Sequence, residues 1–216
     1  MLKLILAGLI VILSLTGCVT DDRGSNRWSV PQRVDLHTRL GVAYLQQGRL
    51  AAAQEELEFA LTLGPDDSSA HHAMALLKLQ LGHAALAREH YERAIVADPG
   101  NYLVRNDFGS HLCALGLHLE GIDQLTIAVN DPFNSSRHIS HYRIGVCMNL
   151  SGRLEKAYEH LAEALRTQPA SGPVLYEAAA VSFGLGRHLS ARGFLERYFE
   201  QGNPTPDSLL LAVNNE

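Results

Sequence analysis

The chain has 216 residues with 18 lysines and arginines against 23 aspartates and glutamates, a formal net charge of −5. This balance excludes the basic surface that nucleic-acid-binding proteins carry, and we predict no nucleic-acid partner. Hydrophobic residues make up 46% of the chain but aromatic residues only 6%. That composition favours tightly packed helices over a β-sandwich or a β-barrel.

Residues 1–17 have the pattern of a bacterial lipoprotein signal peptide. Lys3 supplies a positive charge, and the apolar run 4–15 is too short to span a bilayer but fits the core of a secretory signal. The segment Leu15-Thr16-Gly17-Cys18 resembles the lipobox, in which the cysteine thiol accepts lipid. We therefore expect a diacylglycerol and an N-acyl chain on Cys18, enough for stable anchoring. An ordinary secretory signal with a chance cysteine is the alternative.

The residues after Cys18 bear on where the lipid anchor resides. In the lipoproteins that this N-terminus resembles, an aspartate directly after the cysteine favours the inner membrane, whereas Val19 stands here. We expect an outer-membrane location, lipid-anchored and facing the periplasm. Residues 18–33 lack helical periodicity and contain Gly24 and Pro31, so we predict a flexible tether.

A pattern of small and large apolar residues recurs with a period of 34 residues. Its first copy is Leu40-Gly41-Val42-Ala43-Tyr44 followed by Gly48, Ala53, Leu57, Ala60 and Pro65, and the second half returns as Gly82, Ala87, Tyr91, Ala94 and Pro99. A fixed period with helical spacing inside it indicates a helix-turn-helix solenoid. We predict five units over residues 34–204, with two extra residues in the loop 130–137. Residues 205–216 form a partial sixth-repeat helix that Thr205 caps and Pro206 begins.

Two further cysteines, Cys113 and Cys147, fall in the first helices of successive units. Neighbouring helices pack roughly 8–10 Å apart, axis to axis. That distance is too long for most disulfides unless the two residues point at each other. We therefore expect two buried free thiols, with a disulfide as the alternative.

The recurring residues match the tetratricopeptide repeat, so the chain resembles that family over residues 34–204. This resemblance implies an all-α, right-handed solenoid. The lipobox, the short tether, Asn106-x-Phe108-Gly109-x-x-Leu112 in the third unit and Ser208-Leu-Leu-Leu in the sixth also resemble the type IV pilus biogenesis and stability lipoproteins, the pilotins of the PilF/PilW kind. The family resemblance implies a protein that binds the secretin subunit of the pilus and promotes its outer-membrane localisation and multimerisation. An adaptor that recruits peptidoglycan enzymes or proteases to another cell-envelope machine is the alternative.

A partner is expected in the concave groove formed by the first helix of each unit. By position in the repeat, we predict that this groove is lined by Val42, Leu45, His72, Leu76, Leu79, Asn106, Cys113, Tyr142, Val146, Tyr176 and Phe183. A lining of this kind is apolar to neutral and suits a hydrophobic strand or an amphipathic helix. The convex face and the loop 130–137 are the alternative contact surfaces.

No motif in the sequence indicates chemistry. The eleven histidines form neither a His-Glu-x-x-His helix nor a cysteine–histidine set with metal-ligand spacing. The serines lack a nucleophile-elbow motif, and no glycine-rich phosphate loop follows a strand. We therefore expect no enzyme activity, no metal, no cofactor other than the lipid on Cys18, and no small-molecule substrate.

Overall fold

A computed structural model describes residues 28–202 and 205–214. The signal peptide, Cys18, Val19 and Pro204 lie outside these residues. The described part forms eleven helices: α1 (Val30–Gln46), α2 (Leu50–Leu63), α3 (Ser68–Gln80), α4 (Ala84–Ala97), α5 (Tyr102–Ala114), α6 (His118–Asn130), α7 (Arg137–Leu150), α8 (Leu154–Thr167), α9 (Gly172–Gly184), α10 (His188–Phe199) and α11 (Pro206–Asn214). None of them is long and apolar enough to cross a membrane.

Helices pair within each repeat because small residues let them approach closely. A methyl group added at Gly41 on α1 would lie 2.5 Å from Cγ of Leu57 on α2. The same substitution at Gly145 on α7 would bring a Cβ within 2.7 Å of Leu161 on α8. The alanines on the facing helix, such as Ala53 and Ala60, are fully buried. The 34-residue pattern therefore marks the contact between the two helices of a unit.

A glycine with positive φ ends each of the five turns between paired helices. The five φ values lie between 70° and 80°, at Gly48, Gly82, Gly116, Gly152 and Gly186. This left-handed conformation costs glycine little because it has no Cβ. The five turns share one geometry, and the first helices of successive units contact each other at three places, α1 with α3, α5 with α7 and α7 with α9. The predicted all-α solenoid of tetratricopeptide repeats is confirmed.

The first helix begins earlier than expected. Residues 30–33, which we assigned to the tether, form the first turn of α1. The Ser29 hydroxyl accepts a hydrogen bond from the Gln32 backbone N–H, and the Gln32 side chain accepts one from the Ser29 N–H at 2.8 Å. Pro31 lies in the first turn, where the backbone N–H has no helical partner, so it begins the helix instead of preventing it.

The two extra residues lengthen the loop between α6 and α7, which spans residues 131–136. Asn134 is buried, and its side-chain amide donates to the Ala128 carbonyl at 2.7 Å and to the Ser140 hydroxyl at 3.0 Å. The loop is therefore tied to both flanking helices. At the C-terminal end, the Thr205 hydroxyl accepts from the Ser208 N–H at 3.2 Å, and Pro206 begins α11 as predicted.

Candidate partner-binding groove

A cavity of about 480 Å³ opens between the first helices of repeats two, three and four. Most of its surface is apolar, and its size falls in the range of pockets that bind ligands or side chains. The lining comes from α3, α5 and α7, chiefly Leu76, Leu79, Ser110, Cys113, Tyr142, Val146 and Leu150. Five of the eleven residues predicted for the groove therefore meet around one cavity: Leu76, Leu79, Cys113, Tyr142 and Val146.

Of the other predicted groove residues, His72 contacts the cavity residue Asp107 and the remaining five lie elsewhere. Val42 and Leu45 belong to the hydrophobic cluster between α1 and α3, and Leu45 is only 6% exposed. Asn106 is 3% exposed, so neither it nor Leu45 presents a side chain to a partner. Leu45 is covered by side chains of α2 and α3, which pack against it in that cluster. Near the other end of the described chain, Tyr176 packs beside Tyr198 and Phe183 beside His188.

A chain of polar side chains crosses the floor of the groove, one from each of three repeats. His72 on α3 donates from Nε2 to Asp107 Oδ2 on α5 at 2.8 Å. The other oxygen of Asp107 accepts a hydrogen bond from the Arg143 guanidinium on α7. Asp107 thus joins repeats two, three and four through both of its oxygens. His72 was predicted from the sequence, whereas Asp107 and Arg143 were not. Their opposite charges at equivalent positions of successive units could have indicated the ion pair.

The surroundings of Asp107 stabilise its charged form. Burial alone would raise the pKa of its carboxyl group. The hydrogen bond from His72 and the charge and hydrogen bond of Arg143 outweigh burial and hold the pKa below its usual value. Nearby, burial and the charge of Asp107 raise the pKa of Tyr91, which lies at the cavity and is fully buried. The groove therefore has an apolar wall and a charged, internally paired floor.

A second polar link continues toward repeat five. The Asn149 side-chain amide on α7 donates to Glu177 Oε1 on α9 at 2.8 Å. Burial, followed by the negative charge of Glu177, raises the pKa of the groove residue Tyr142. Side-chain hydrogen bonds therefore connect the first helices of repeats two to five from one unit to the next.

Cys113 and Cys147 form a disulfide, so the expectation of two free thiols is wrong. Their Cα atoms are 5.5 Å apart. The expectation compared helix axes, but Cα atoms lie about 2.3 Å from the axis, so two facing residues are roughly 4.6 Å closer than the axes themselves. Gly121 makes room for the bridge, since a Cβ there would collide with the Cys113 sulfur. The disulfide joins α5 to α7 directly beneath the cavity.

No group of three or more metal-ligating side chains comes together among residues 28–202 and 205–214. What the groove offers is a shaped apolar surface with fixed polar partners. Such a surface can bind a peptide segment by burial and hydrogen bonding.

Comparison with known proteins agrees with this fold. The tetratricopeptide-repeat family model matches residues 38–102. The type IV pilus assembly protein PilF of Pseudomonas aeruginosa is 27% identical over 96% of this chain and 84% of that protein. The chain is a tetratricopeptide-repeat protein homologous to PilF. The predicted resemblance to type IV pilus biogenesis factors is thereby confirmed.

Solved structures share this fold. The structure from the functional characterisation of Pseudomonas aeruginosa PilF superposes with a TM-score of 0.81 at 25% identity, covering 86% of this chain and 84% of that one. The crystal structure of PilW, a widely conserved type IV pilus biogenesis factor, also gives a TM-score of 0.81, at 24% identity, over 85% of this chain and 87% of that one. By contrast, the match to cellulose synthase 1 operon protein C of Komagataeibacter xylinus, at 23% identity, spans 77% of this chain but only 13% of that protein.

Proposed function

We propose that this homologue of PilF is a non-catalytic, lipid-anchored outer-membrane protein that assists type IV pilus biogenesis. In this proposal it binds the secretin subunit and promotes its localisation and multimerisation in the outer membrane. The homology to PilF over 96% of the chain carries the proposal. The apolar groove of α3, α5 and α7 supports it, because it supplies a surface that can receive a hydrophobic segment of another protein.

The mechanism follows from tethering. A lipid on Cys18 would confine the solenoid to the membrane surface, and a bound secretin subunit would then be confined with it. Confinement raises the effective concentration of subunits at the place where the ring forms, without any chemical step. The groove provides the contact, and the lipid provides the location.

A deletion strain tests the proposal. Outer-membrane fractions are run unboiled on a gel and probed for the secretin multimer. The proposal expects the multimer to disappear while monomer accumulates or moves to the inner membrane. A normal ring would contradict it and would favour an adaptor for another cell-envelope machine, whose partner crosslinking in cells would identify.

Two kinds of variant separate the anchor from the groove. Cys18→Ser should leave secretin binding intact but mislocalise the ring. Val146→Glu places a charge in the cavity wall and should abolish binding, provided that circular dichroism shows an unchanged helical fold. Leu119→Glu is the matched control, because Leu119 is 72% exposed on α6 and does not line the cavity. Equal loss of binding in both glutamate variants would place the contact outside the groove.

A further inference from the structure

The two helices of a repeat are linked by a side-chain pair at one fixed register, with partners 19 positions apart. Four repeats carry a hydrogen-bonded pair of this kind: His37–Glu56, His71–His90, Arg105–Gln124 and His141–His160. Repeats two and four both pair histidine with histidine. Repeats one and three carry other residue pairs at this register, so the position in the fold does not itself require two histidines.

The two histidine pairs have the same geometry. In each, Nδ1 of one ring lies 3.0 Å from Nδ1 of the other. The ring centroids are 5.2 Å apart in repeat two and 5.3 Å apart in repeat four, so the rings meet nitrogen to nitrogen rather than face to face. The two facing nitrogens of each pair lie at hydrogen-bonding distance, and no third ligating side chain joins either pair among residues 28–202 and 205–214. A single hydrogen between them makes the bond.

The pair in repeat two has a defined donor and acceptor. His71 Nε2 lies 2.8 Å from the Pro65 carbonyl oxygen, which can only accept, so the hydrogen of neutral His71 is on Nε2. His71 Nδ1 is then bare and accepts from His90 Nδ1–H. A proton added to His71 Nδ1 would set two N–H groups head to head and break the link between α3 and α4.

The charged groups around each pair oppose further protonation in repeat two more strongly than in repeat four. Lys78 and Arg93 are the charged neighbours that act on His90. Burial first, then the charges of His71, Arg93 and Lys78, lower the pKa of His90 to about 4. In repeat four, burial is again the main cause that lowers the pKa of His141 and His160. The charged neighbours there have mixed signs: Arg137, Lys156, Glu159, Glu163 and Arg166.

We propose that the two histidine pairs are proton-sensitive links. Near neutral pH, one pair holds α3 to α4 within repeat two and the other holds α7 to α8 within repeat four, and both links weaken on acidification. The inference does not rest on the pilus function, because it concerns the fold of the chain itself. The affected helices α3 and α7 also carry His72 and Arg143 of the groove floor, so acid would loosen both walls of the groove.

The expected pH dependence follows from proton linkage. A histidine whose folded pKa is lowered stabilises the fold fully above its unfolded pKa of about 6.5 and progressively less as the pH falls toward the folded pKa. If a pair binds one proton fewer in the folded state than in the unfolded state, the unfolding equilibrium constant rises by up to about tenfold for each pH unit of acidification in that window. Two pairs together give up to about a hundredfold per pH unit.

The test compares urea unfolding of the full-length protein in detergent at pH 7.5, 6.5, 5.5 and 5.0. The double variant His90→Gln/His160→Gln replaces one ring of each pair with the residue that repeat three carries at this position, Gln124. It should lose most of the acid-induced destabilisation of the wild type. The matched control His37→Gln removes a histidine at the same register that faces the Glu56 carboxylate, and it should show at least the acid-induced destabilisation of the wild type.

An unchanged pH dependence in the double variant would overturn the proposal. A measurement on the wild type guards against a variant that fails to fold. Nitrogen-15 imidazole spectra should show one hydrogen between the two facing nitrogens of each pair at pH 7.5. Fully protonated rings in both pairs at pH 6, with the helical signal and unfolding midpoint unchanged, would also overturn it.

Discussion

Reduction of the Cys113–Cys147 disulfide should destabilise the solenoid substantially. The bridge closes a loop between residues 34 positions apart. The chain-entropy relation for a loop of that length gives roughly 13 cal/mol/K, or about 4 kcal/mol at 25 °C. Native disulfides generally contribute about 2–4 kcal/mol, so we expect the loss on reduction to lie in that range. Because both sulfurs lie in the core between α5 and α7, repeats three and four should be the units most affected.

Urea unfolding with and without a phosphine reductant measures this loss directly. The double variant Cys113→Ala/Cys147→Ala is the control, since its unfolding midpoint should not respond to reductant. Thiol counting in urea without reductant should give the same number for the wild type and the double variant. Two additional reactive thiols in the wild type would show that the bridge does not form in the protein. A midpoint that reductant leaves unchanged would show that the bridge does not stabilise the fold by the expected amount.

Four further substitutions test the packing and the groove. Gly145→Ala brings a Cβ to 2.7 Å from the Leu161 side chain and should lose about 1–2 kcal/mol in urea unfolding, whereas Gly193→Ala, with nothing within 4 Å, should gain about 0.5–1 kcal/mol. Asp107→Asn should lose about 1–3 kcal/mol at pH 7. Since the folded pKa of Asp107 is lowered, its contribution is complete above its unfolded pKa and is lost as the pH falls through the lower folded pKa, so the stability difference from the wild type should shrink steadily as the pH is lowered below about 4. Tyr91→Phe removes a buried hydroxyl that makes no hydrogen bond among the described residues, so thermal unfolding should show no loss of stability.

Much of the fold could be predicted from the sequence because the repeat period reports a local contact. Gly41 and Leu57 lie in adjacent helices of one unit, joined by a short turn, and their small and large side chains fit together. The same contact recurs every 34 residues, so each copy strengthens the prediction. The start of α1 was predicted too late because Pro31 was treated as a helix breaker. Proline is in fact favoured in the first turn of a helix.

The site was harder to predict because it depends on contacts between units. Asp107 and Arg143 are 36 positions apart, and their pairing depends on how far α7 is rotated relative to α5. The repeat pattern specifies which residues face the groove side but not which side chains reach each other across it. Leu45 illustrates the limit, since its repeat position indicated the groove but side chains of α2 and α3 bury it.

The five glycine turns, with nearly identical φ values, make the repeats interchangeable modules in principle. Deleting the segment from one such glycine to the next would remove one unit and keep the turn geometry at the new junction. Each unit mainly contacts the units beside it, so the remaining units would keep most of their contacts. Repeats three and four are the exception. These two repeats are joined by the longer loop that Asn134 holds in place and by the disulfide between α5 and α7. Among the described residues, neither connection is present between the other full repeats. An engineer shortening or lengthening this solenoid would therefore cut within the outer repeats and keep the central two as one part.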